Sequence, residues 1–201
     1  MKINTIRVKG GWICVSIILF FTLFGCSAIT VKHYVVGNET PLCINNTSKT
    51  KVAVYWGTAW RKNQKEMSVR EQYIDDGLKI FFDSADCFET ISISKKVQGN
   101  NVLLATDEEL ISAGKEIGVD KIIRFRIEEL GPNLYLYLSP ILWETQNEVS
   151  LQVKILNTKT GKVESDISTQ WRRGGAFTFN GAESLQYDFA ETLKAIVYGN
   201  K

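Results

Sequence analysis

The pattern of apolar and polar positions changes its period along the chain. A short apolar run at 51–56 predicts a buried strand, and apolar residues at helical spacing over 67–85 predict an amphipathic helix. A second strand is expected at 88–94. Thr106 and Glu109 then form a capping-box pattern that opens a second helix, which is expected to end at Gly118.

After residue 120 the period is two, which is typical of half-buried antiparallel strands. Such strands are predicted at 123–127, 134–138, 149–155 and 163–171, with turns at 131–133 and 157–161, and the last helix at 182–198. The order β-α-β-α-β-β-β-β-α predicts an α/β fold for residues 49–201. We expect a two-layer sandwich with a mixed sheet of about six strands, parallel at its start and antiparallel at its end, and three helices mainly on one face.

The first 25 residues have the features of an export signal. Basic residues precede an apolar run at 12–24, no acid occurs, and the run is shorter than the ~20 residues of a spanning helix. The run ends in Leu23-Phe24-Gly25-Cys26, which resembles a bacterial lipobox, so Cys26 is expected to be acylated. The alternative is an ordinary signal peptide cut near Ala28. In lipoproteins, an Asp directly after the acylated cysteine resembles an inner-membrane retention signal. Position 27 is Ser instead, which favours the outer membrane.

The small positive charge of the chain belongs to this signal. The whole sequence has 24 basic and 22 acidic residues, whereas residues 26–201 have 21 and 22. This balance disfavours a nucleic-acid binder that neutralises phosphates. A single histidine disfavours zinc sites and His-based catalysis. We expect neither a metal nor a cofactor.

The cysteines predict one disulfide bond. Cys14 leaves with the signal and Cys26 is lipidated, so Cys43 and Cys87 remain as a pair in an oxidising compartment. Both precede strands expected to run parallel, which favours a bridge over two separate buried thiols. Residues 26–48 lack helical periodicity and are expected to form a lipidated tether, or an arm lying on the domain, in which His33 is solvated.

Several features of the chain resemble one group of bacterial envelope lipoproteins. They are the lipobox, the opening strand Lys51-Val-Ala-Val, Gly77 inside the amphipathic helix, Gly118-Val-Asp-Lys-Ile-Ile before the third strand, and Ile155-Leu-Asn-Thr-Lys-Thr-Gly161-Lys-Val at a hairpin. The group comprises proteins related to the TolB N-terminal domain and to the CsgG and penicillin-binding-protein-activator lipoproteins, and the resemblance covers most of residues 50–198. It implies a non-enzymatic domain that binds envelope proteins or assembles into rings.

Motifs for catalysis are not found in the sequence. The acid pairs, such as Glu128 and Glu129, are adjacent, so they are expected to diverge on solvated faces instead of converging on a bond. No nucleophile elbow, phosphate loop or Cys-x-x-Cys motif is present. We therefore expect a protein that is not an enzyme.

Two loops and one strand carry residue types that suit partner binding. The loop after the first strand and the loop before the last helix combine tryptophan with arginine, and loops at the carboxyl ends of strands commonly hold binding sites. The alternatives are that Trp56 caps the core and Trp60 covers a helix end, that the glycines of the second segment only form a loop leading into the last helix, and that the tyrosines form a cross-strand pair. The candidate partner-binding residues are Trp56, Trp60, Arg61, Tyr135, Tyr137, Trp171, Arg172 and Arg173.

The main hypothesis is a lipid-anchored periplasmic accessory or scaffold protein of a cell-envelope assembly, acting by protein contact at the outer membrane. The arginines suit carboxylates on a partner protein or on peptidoglycan stems, and a homo-oligomer is left open. The alternative hypothesis is a ligand-binding or transport-auxiliary lipoprotein with a pocket for lipid or glycan.

Overall fold

The computed structural model describes residues 28–37, 49–62, 64–138, 142–176 and 181–198. Cys26, Cys43 and the predicted signal lie outside the described residues. The strands are β1 (Ala28–Gly37), β2 (Thr50–Thr58), β3 (Phe88–Ser94), β4 (Lys96–Val97), β5 (Asn100–Asn101), β6 (Lys121–Leu138), β7 (Leu142–Asn157) and β8 (Lys162–Ala176). The helices are α1 (Met67–Ser84), α2 (Asp107–Glu116) and α3 (Leu185–Tyr198), and a 3-10 turn, Ala182–Ser184, precedes α3.

One mixed sheet organises the domain and confirms the predicted fold class. Its six strands lie in the order β1-β8-β7-β6-β2-β3, and β4 pairs with β5 in a separate short hairpin. Strand β2 runs parallel to both β3 and β6, whereas the pairs β6–β7, β7–β8 and β8–β1 are antiparallel. No helix in the described part of the chain is long and apolar enough to cross a membrane.

The turn predicted at 131–133 is wrong. Strand β6 continues without interruption through Gly131, Pro132 and Asn133, and Pro132 lies opposite Asn147 of β7. The pairing of β6 with β2 ends at Ile127, so Pro132 lies where β6 is no longer flanked by β2. A proline, which lacks an N–H donor, is tolerated at such an edge. The two strands expected at 123–127 and 134–138 are therefore one.

Strand β1 supplies the sixth strand and replaces much of the expected tether. It pairs with β8 over its full length, from Ala28 opposite Gly174 to Gly37 opposite Ser165. The β-branched residues of this segment suit a pleated strand. Val31 packs against the core. His33 lies in this strand, and its side chain falls outside the description. The sheet thus begins two residues after Cys26.

The sheet is covered differently on its two faces. Val52, Val54 and Trp56 of β2 face the larger core, which α1 and α3 close. Ala53 and Tyr55 alternate with them and face a smaller core under α2. Two of the three helices therefore lie on one face, and α2 covers only one end of the other.

The local signals that were read from the sequence are present. The N–H of Glu109 donates to Thr106 Oγ1 at 3.2 Å, and the N–H of Thr106 donates to Glu109 Oε2 at 2.7 Å. Gly118 and Gly161 have φ of 70° and 69°, the left-handed region in which glycine carries no steric penalty. These residues fix the start of α2, the exit from it and the turn between β7 and β8.

Helices α1 and α3 approach closely at Gly77. A Cβ at this position would lie 2.7 Å from the carbonyl oxygen of Gln186 and 2.9 Å from Phe189 Cδ1. We expect Gly77→Leu to lower the free energy of unfolding by about 2 kcal/mol, because a fixed backbone oxygen cannot move aside cheaply. Urea denaturation measures this loss.

The matched control is Gln72→Leu, on the exposed side of the same helix, which should change stability by no more than about 0.5 kcal/mol. Equal stability of the two variants would show that the helices are not held at this distance.

Candidate functional site

The face of the sheet opposite α1 and α3 is polar, and we call it the polar face. One end of it is covered by α2, whose Asp107 lies 3.1 Å from Lys154 Nζ and 3.6 Å from Arg124 Nη1. No other described helix packs on it. The side chains that define it are Arg126, Glu129, Glu148, Gln152, Ser168, Gln170 and Arg172.

Two carboxylates are buried at the centre of the polar face. Glu148 and Glu129 are 2% and 3% exposed. Arg61 Nη1 lies 3.3 Å from Glu129 Oε2 and 3.5 Å from Glu148 Oε1, and Arg172 Nε lies 3.5 Å from Glu148 Oε2. The acids therefore lie beneath, and the arginines, whose side chains are 45% and 40% exposed, lie at the surface.

Two amide side chains complete the surroundings of Glu148. Gln170 Nε2 donates to Glu148 Oε1 at 2.6 Å, and Asn133 Nδ2 donates to Glu148 Oε2 at 3.3 Å. Buried charges need such partners, because an unpaired carboxylate in this position is strongly destabilising. The network holds each arginine in one place. A guanidinium has five N–H donors, more than these contacts use.

The backbone explains why these groups meet. A bulge between Ile127 and Glu129 shifts the register of β6 against β7. The N–H of Ala59 donates to the carbonyl of Ile127 at 2.7 Å, and the N–H of Arg61 donates to that of Glu128 at 3.2 Å. The segment after β2 therefore follows β6, which brings Arg61 over both acids.

The expectation that Glu129 is solvated is wrong. The acids at 128 and 129 do diverge, but only Glu128 reaches solvent, where it lies 3.4 Å from Arg126. A sequence signal for this was present. The apolar positions of β6 move from 123, 125 and 127 to 130, and such a slip by one residue indicates a bulge.

Burial raises the pKa of the Glu129 carboxyl. Desolvation is the main cause, and the charge of Glu148 adds to it, whereas Arg61 and Arg70 act in the opposite direction without cancelling the shift. The ionised form of Glu129 is thus less favourable in the folded protein than in the unfolded chain.

This raised pKa predicts how stability depends on pH. Below the pKa that Glu129 has in the unfolded chain, the carboxyl is protonated in both states and its burial as a charge does not lower stability. The loss of stability appears as the pH rises above that value, and it is complete above the pKa of the folded state. We therefore expect the difference in stability between Glu129→Gln and the wild type to shift in favour of the variant as the pH is raised from about 4 to about 7. Urea midpoints at the two pH values measure the change. Glu128→Gln is the control and should show no such trend; a Glu129→Gln difference that is constant with pH contradicts the prediction.

The sequence-predicted binding residues are divided between core and surface. Trp56 and Trp171 are 1% and 2% exposed, so the expectation that they contact a partner is wrong. Trp56 fills the core, as its alternative stated, and Trp171 also lies in the core. Trp60 packs partly buried against the same core. Arg61 and Arg172 lie on the polar face. Arg173 lies on the opposite face, where it contacts Asp188 at 3.2 Å.

Other predicted sites lie partly or wholly outside the described residues. Tyr135 and Tyr137 belong to β6, but their side chains are not described, so their role stays a prediction. Cys87 takes part in a disulfide whose partner lies outside the described residues. A bridge to Cys43 therefore also stays a prediction.

Two grooves border these residues. A groove of about 280 Å³ beside β1 is lined by Thr30, Lys32, Gln146, Gln170 and Arg172, together with Ala28 and two glycines. A second groove, of about 220 Å³, lies at the carboxyl ends of β2 and β3, where Lys95 Nζ lies 4.3 Å from the centre of the Trp56 ring.

The second groove is occupied by an internal ion pair. Lys95 contacts Glu71 at 2.7 Å, and Thr58 Oγ1 donates to Glu71 at 2.9 Å. Burial acts to raise the pKa of Glu71, but these two hydrogen bonds outweigh it and lower the pKa. The described residues contain no group of three His, Cys, Asp or Glu side chains that could hold a metal.

No family model matches the chain, and no curated protein matches it. Solved structures give fold-level similarity. The PelC dodecamer from Paraburkholderia phytofirmans is 12% identical, with a TM-score of 0.45 over 84% of this chain and 97% of that one. Lipoprotein GNA1162 from Neisseria meningitidis is 11% identical, with a TM-score of 0.43 over 74% and 99%. The C-terminal domain of LpoB from Salmonella enterica is 14% identical, with a TM-score of 0.31 over 67% and 87%.

These similar structures thus include a bacterial lipoprotein. At identities of 14% or less and TM-scores of 0.45 or less, the similarities carry no argument about what this chain binds.

Proposed function

We propose that this protein is a lipid-anchored accessory or scaffold protein of a cell-envelope assembly, without catalytic activity, that acts by protein contact through its polar face. The observation that carries the proposal is the layering of charge on that face. Glu129 and Glu148 are buried, whereas the side chains of Arg61, Arg126 and Arg172 are 40% to 49% exposed. The face therefore presents cations to solvent although its charges nearly balance.

This layering favours a partner with carboxylates. Arginine binds a carboxylate through two parallel N–H donors, and Arg61 and Arg172 are already held by buried acids, so these two have little conformational freedom left to lose on binding. A second copy of this chain fits less well, because its polar face carries the same cations. An acidic segment of another envelope protein is the better occupant, and peptidoglycan stems offer the same carboxylate chemistry.

The location follows from the sequence. The lipobox ending in Cys26 supports acylation at that residue, and Ser27 supports the outer membrane. Membership of the group related to the TolB N-terminal domain and CsgG is part of the same proposal. The carrier alternative requires an apolar pocket, whereas the groove beside β1 is lined by polar side chains.

A pair of surface substitutions tests the proposal. Ser168 is exposed in the middle of the polar face, and Glu191 is exposed on α3, on the opposite side of the sheet. After crosslinking in intact envelopes, we expect the wild type and Glu191→Arg to recover the same partner, and Ser168→Glu, which places a carboxylate among the arginines, to lose it. Recovery of no partner by any form, or equal recovery by both variants, would overturn the proposal.

A further inference from the structure

Strand β1 is an open edge of the sheet. It pairs with β8 along all ten of its residues without a register shift, and no described strand pairs with its other side. In a strand, the N–H and C=O groups of alternate residues point to opposite sides. The outer side of β1 therefore has a regular row of backbone donors and acceptors, which is a template for pairing with another chain.

The opposite edge of the sheet, strand β3, is less suited to such pairing. It has seven residues. Its pairing with β2 is irregular, because Thr90 and Ser92 lie opposite consecutive residues of β2 and Ile91 is left out of the register. Short edge strands and bulges are devices by which natural sheets avoid pairing with other chains. Strand β1 has neither device, as expected of an edge that a partner occupies.

The charges beside β1 favour an acidic partner. Lys32 lies opposite Gln170 on the polar face, and with Arg172 it lines the groove of about 280 Å³. Lys32 is exposed, and no acid among the described residues contacts it. Arg172 contacts Glu148 through Nε at 3.5 Å and has further N–H donors. The groove thus offers two cations to carboxylates that approach along β1.

The other face of β1 is apolar near the same end. Val31 packs against the core, and Ile29, two residues before it, is 62% exposed. Side chains of a strand alternate between its two faces. A strand added beside β1 would therefore place one set of its side chains beside Ile29 and the other set beside Lys32. Diagonal neighbours on paired strands are about 7–8 Å apart, within reach of long side chains such as glutamate.

We infer that β1 accepts an extended segment of the partner as an additional strand of the sheet, with acidic side chains beside Lys32 and Arg172 and apolar side chains beside Ile29. This inference rests on the proposed function and names the part of the partner that binds, a segment in which acidic and apolar residues alternate. In this mode of recognition the backbone hydrogen bonds supply affinity and the side chains supply specificity.

A second copy of this chain is the poorer occupant of this edge. Lys32 lies near the middle of β1, so antiparallel pairing of two β1 strands would bring the two lysines together. Like charges on paired strands are destabilising. An acidic segment of another protein instead places opposite charges there.

Charge reversal in intact envelopes tests where the partner binds. After crosslinking, we expect Lys32→Glu to lose the partner, and Lys194→Glu, which reverses a lysine on α3 on the other side of the sheet, to recover it. If Lys32→Glu recovers the partner and Ser168→Glu loses it, the inference is overturned and the proposed function stands. Equal recovery by all variants, or recovery by none, overturns both.

A synthetic peptide of alternating glutamate and valine tests the strand pairing itself. Its binding to the purified acylated protein in detergent is measured by fluorescence anisotropy. Lys32→Glu should weaken binding about tenfold relative to the wild type and to Lys194→Glu.

Two methylated forms of the peptide, one with N-methyl groups on the glutamates and one with N-methyl groups on the valines, each lack the N–H donors of one edge. A strand added to β1 uses one edge only, so one form should bind and the other should not. Equal binding of the two forms, or no binding of the unmethylated peptide, overturns the inference.

Discussion

Replacing Cys26 with alanine should release the protein from the membrane. The sequence ending in Cys26 resembles a lipobox and predicts acylation at this residue, and each buried CH₂ of an acyl chain contributes about 0.8 kcal/mol to membrane binding. Stable attachment needs about two lipid signals, so losing the acyl chains removes the attachment. Fractionation of cells into membrane and soluble parts measures the shift.

Cys14→Ala is the matched control, because Cys14 lies in the predicted signal and leaves with it. It should fractionate as the wild type does. Unchanged membrane retention of Cys26→Ala would contradict the lipid anchor.

Asp188→Ala should lower the free energy of unfolding by about 3 kcal/mol. Asp188 is fully buried on α3 and joins this helix to the sheet. Asn147 Nδ2 donates to Asp188 Oδ2 at 2.5 Å, and Arg173 Nη1 lies 3.2 Å from Oδ1. Alanine leaves Asn147, which is also fully buried, without this acceptor. Urea denaturation measures the loss, which is a large part of the typical stability of a domain.

The control for this variant is Glu191→Ala on the same helix. Its carboxylate contacts Lys194 at 2.7 Å, but both side chains are about half exposed, so the pair contributes at most about 0.5 kcal/mol. A similar loss for both variants would mean that the buried network does not hold α3 on the sheet.

Elements with a strong period or a cap could be predicted from the sequence. Helix α1 shows a continuous apolar stripe, and α2 has a capping box and a glycine at its end, so both agree with their predicted limits within about two residues. The parallel start and antiparallel end of the sheet followed from the order of these elements. In these regions the local sequence signals and the packing of the folded domain favour the same elements.

Strand β1 and the continuation of β6 through 131–133 were missed because their local signals point elsewhere. Gly131-Pro132-Asn133 has the composition of a turn, and only pairing with β7 along its whole length keeps β6 extended there. Strand β1 follows the predicted cleavage site directly, and its assignment depends on a partner, β8, more than 120 residues away. Neither pairing can be read from a local pattern.

The candidate site could be predicted only in part for a similar reason. Arg61 and Arg172 were identified from composition, but Trp56 and Trp171 were not separable from core residues until the alternation of their strands placed them under the helices. Glu129 was missed because the bulge at 127–129 changes which side of β6 an acid occupies. Without the inserted residue, position 129 would follow 123, 125 and 127 into the core under the helices.

The central claim is that the polar face contacts a partner in the envelope. A photo-crosslinking amino acid placed at Ser168, in the middle of that face, tests it most directly, with the same group at Glu191 on α3 as the control. Irradiation of living cells should link position 168 to one distinct protein and leave position 191 without that adduct. The same adduct at both positions, or at position 191 alone, would contradict the account.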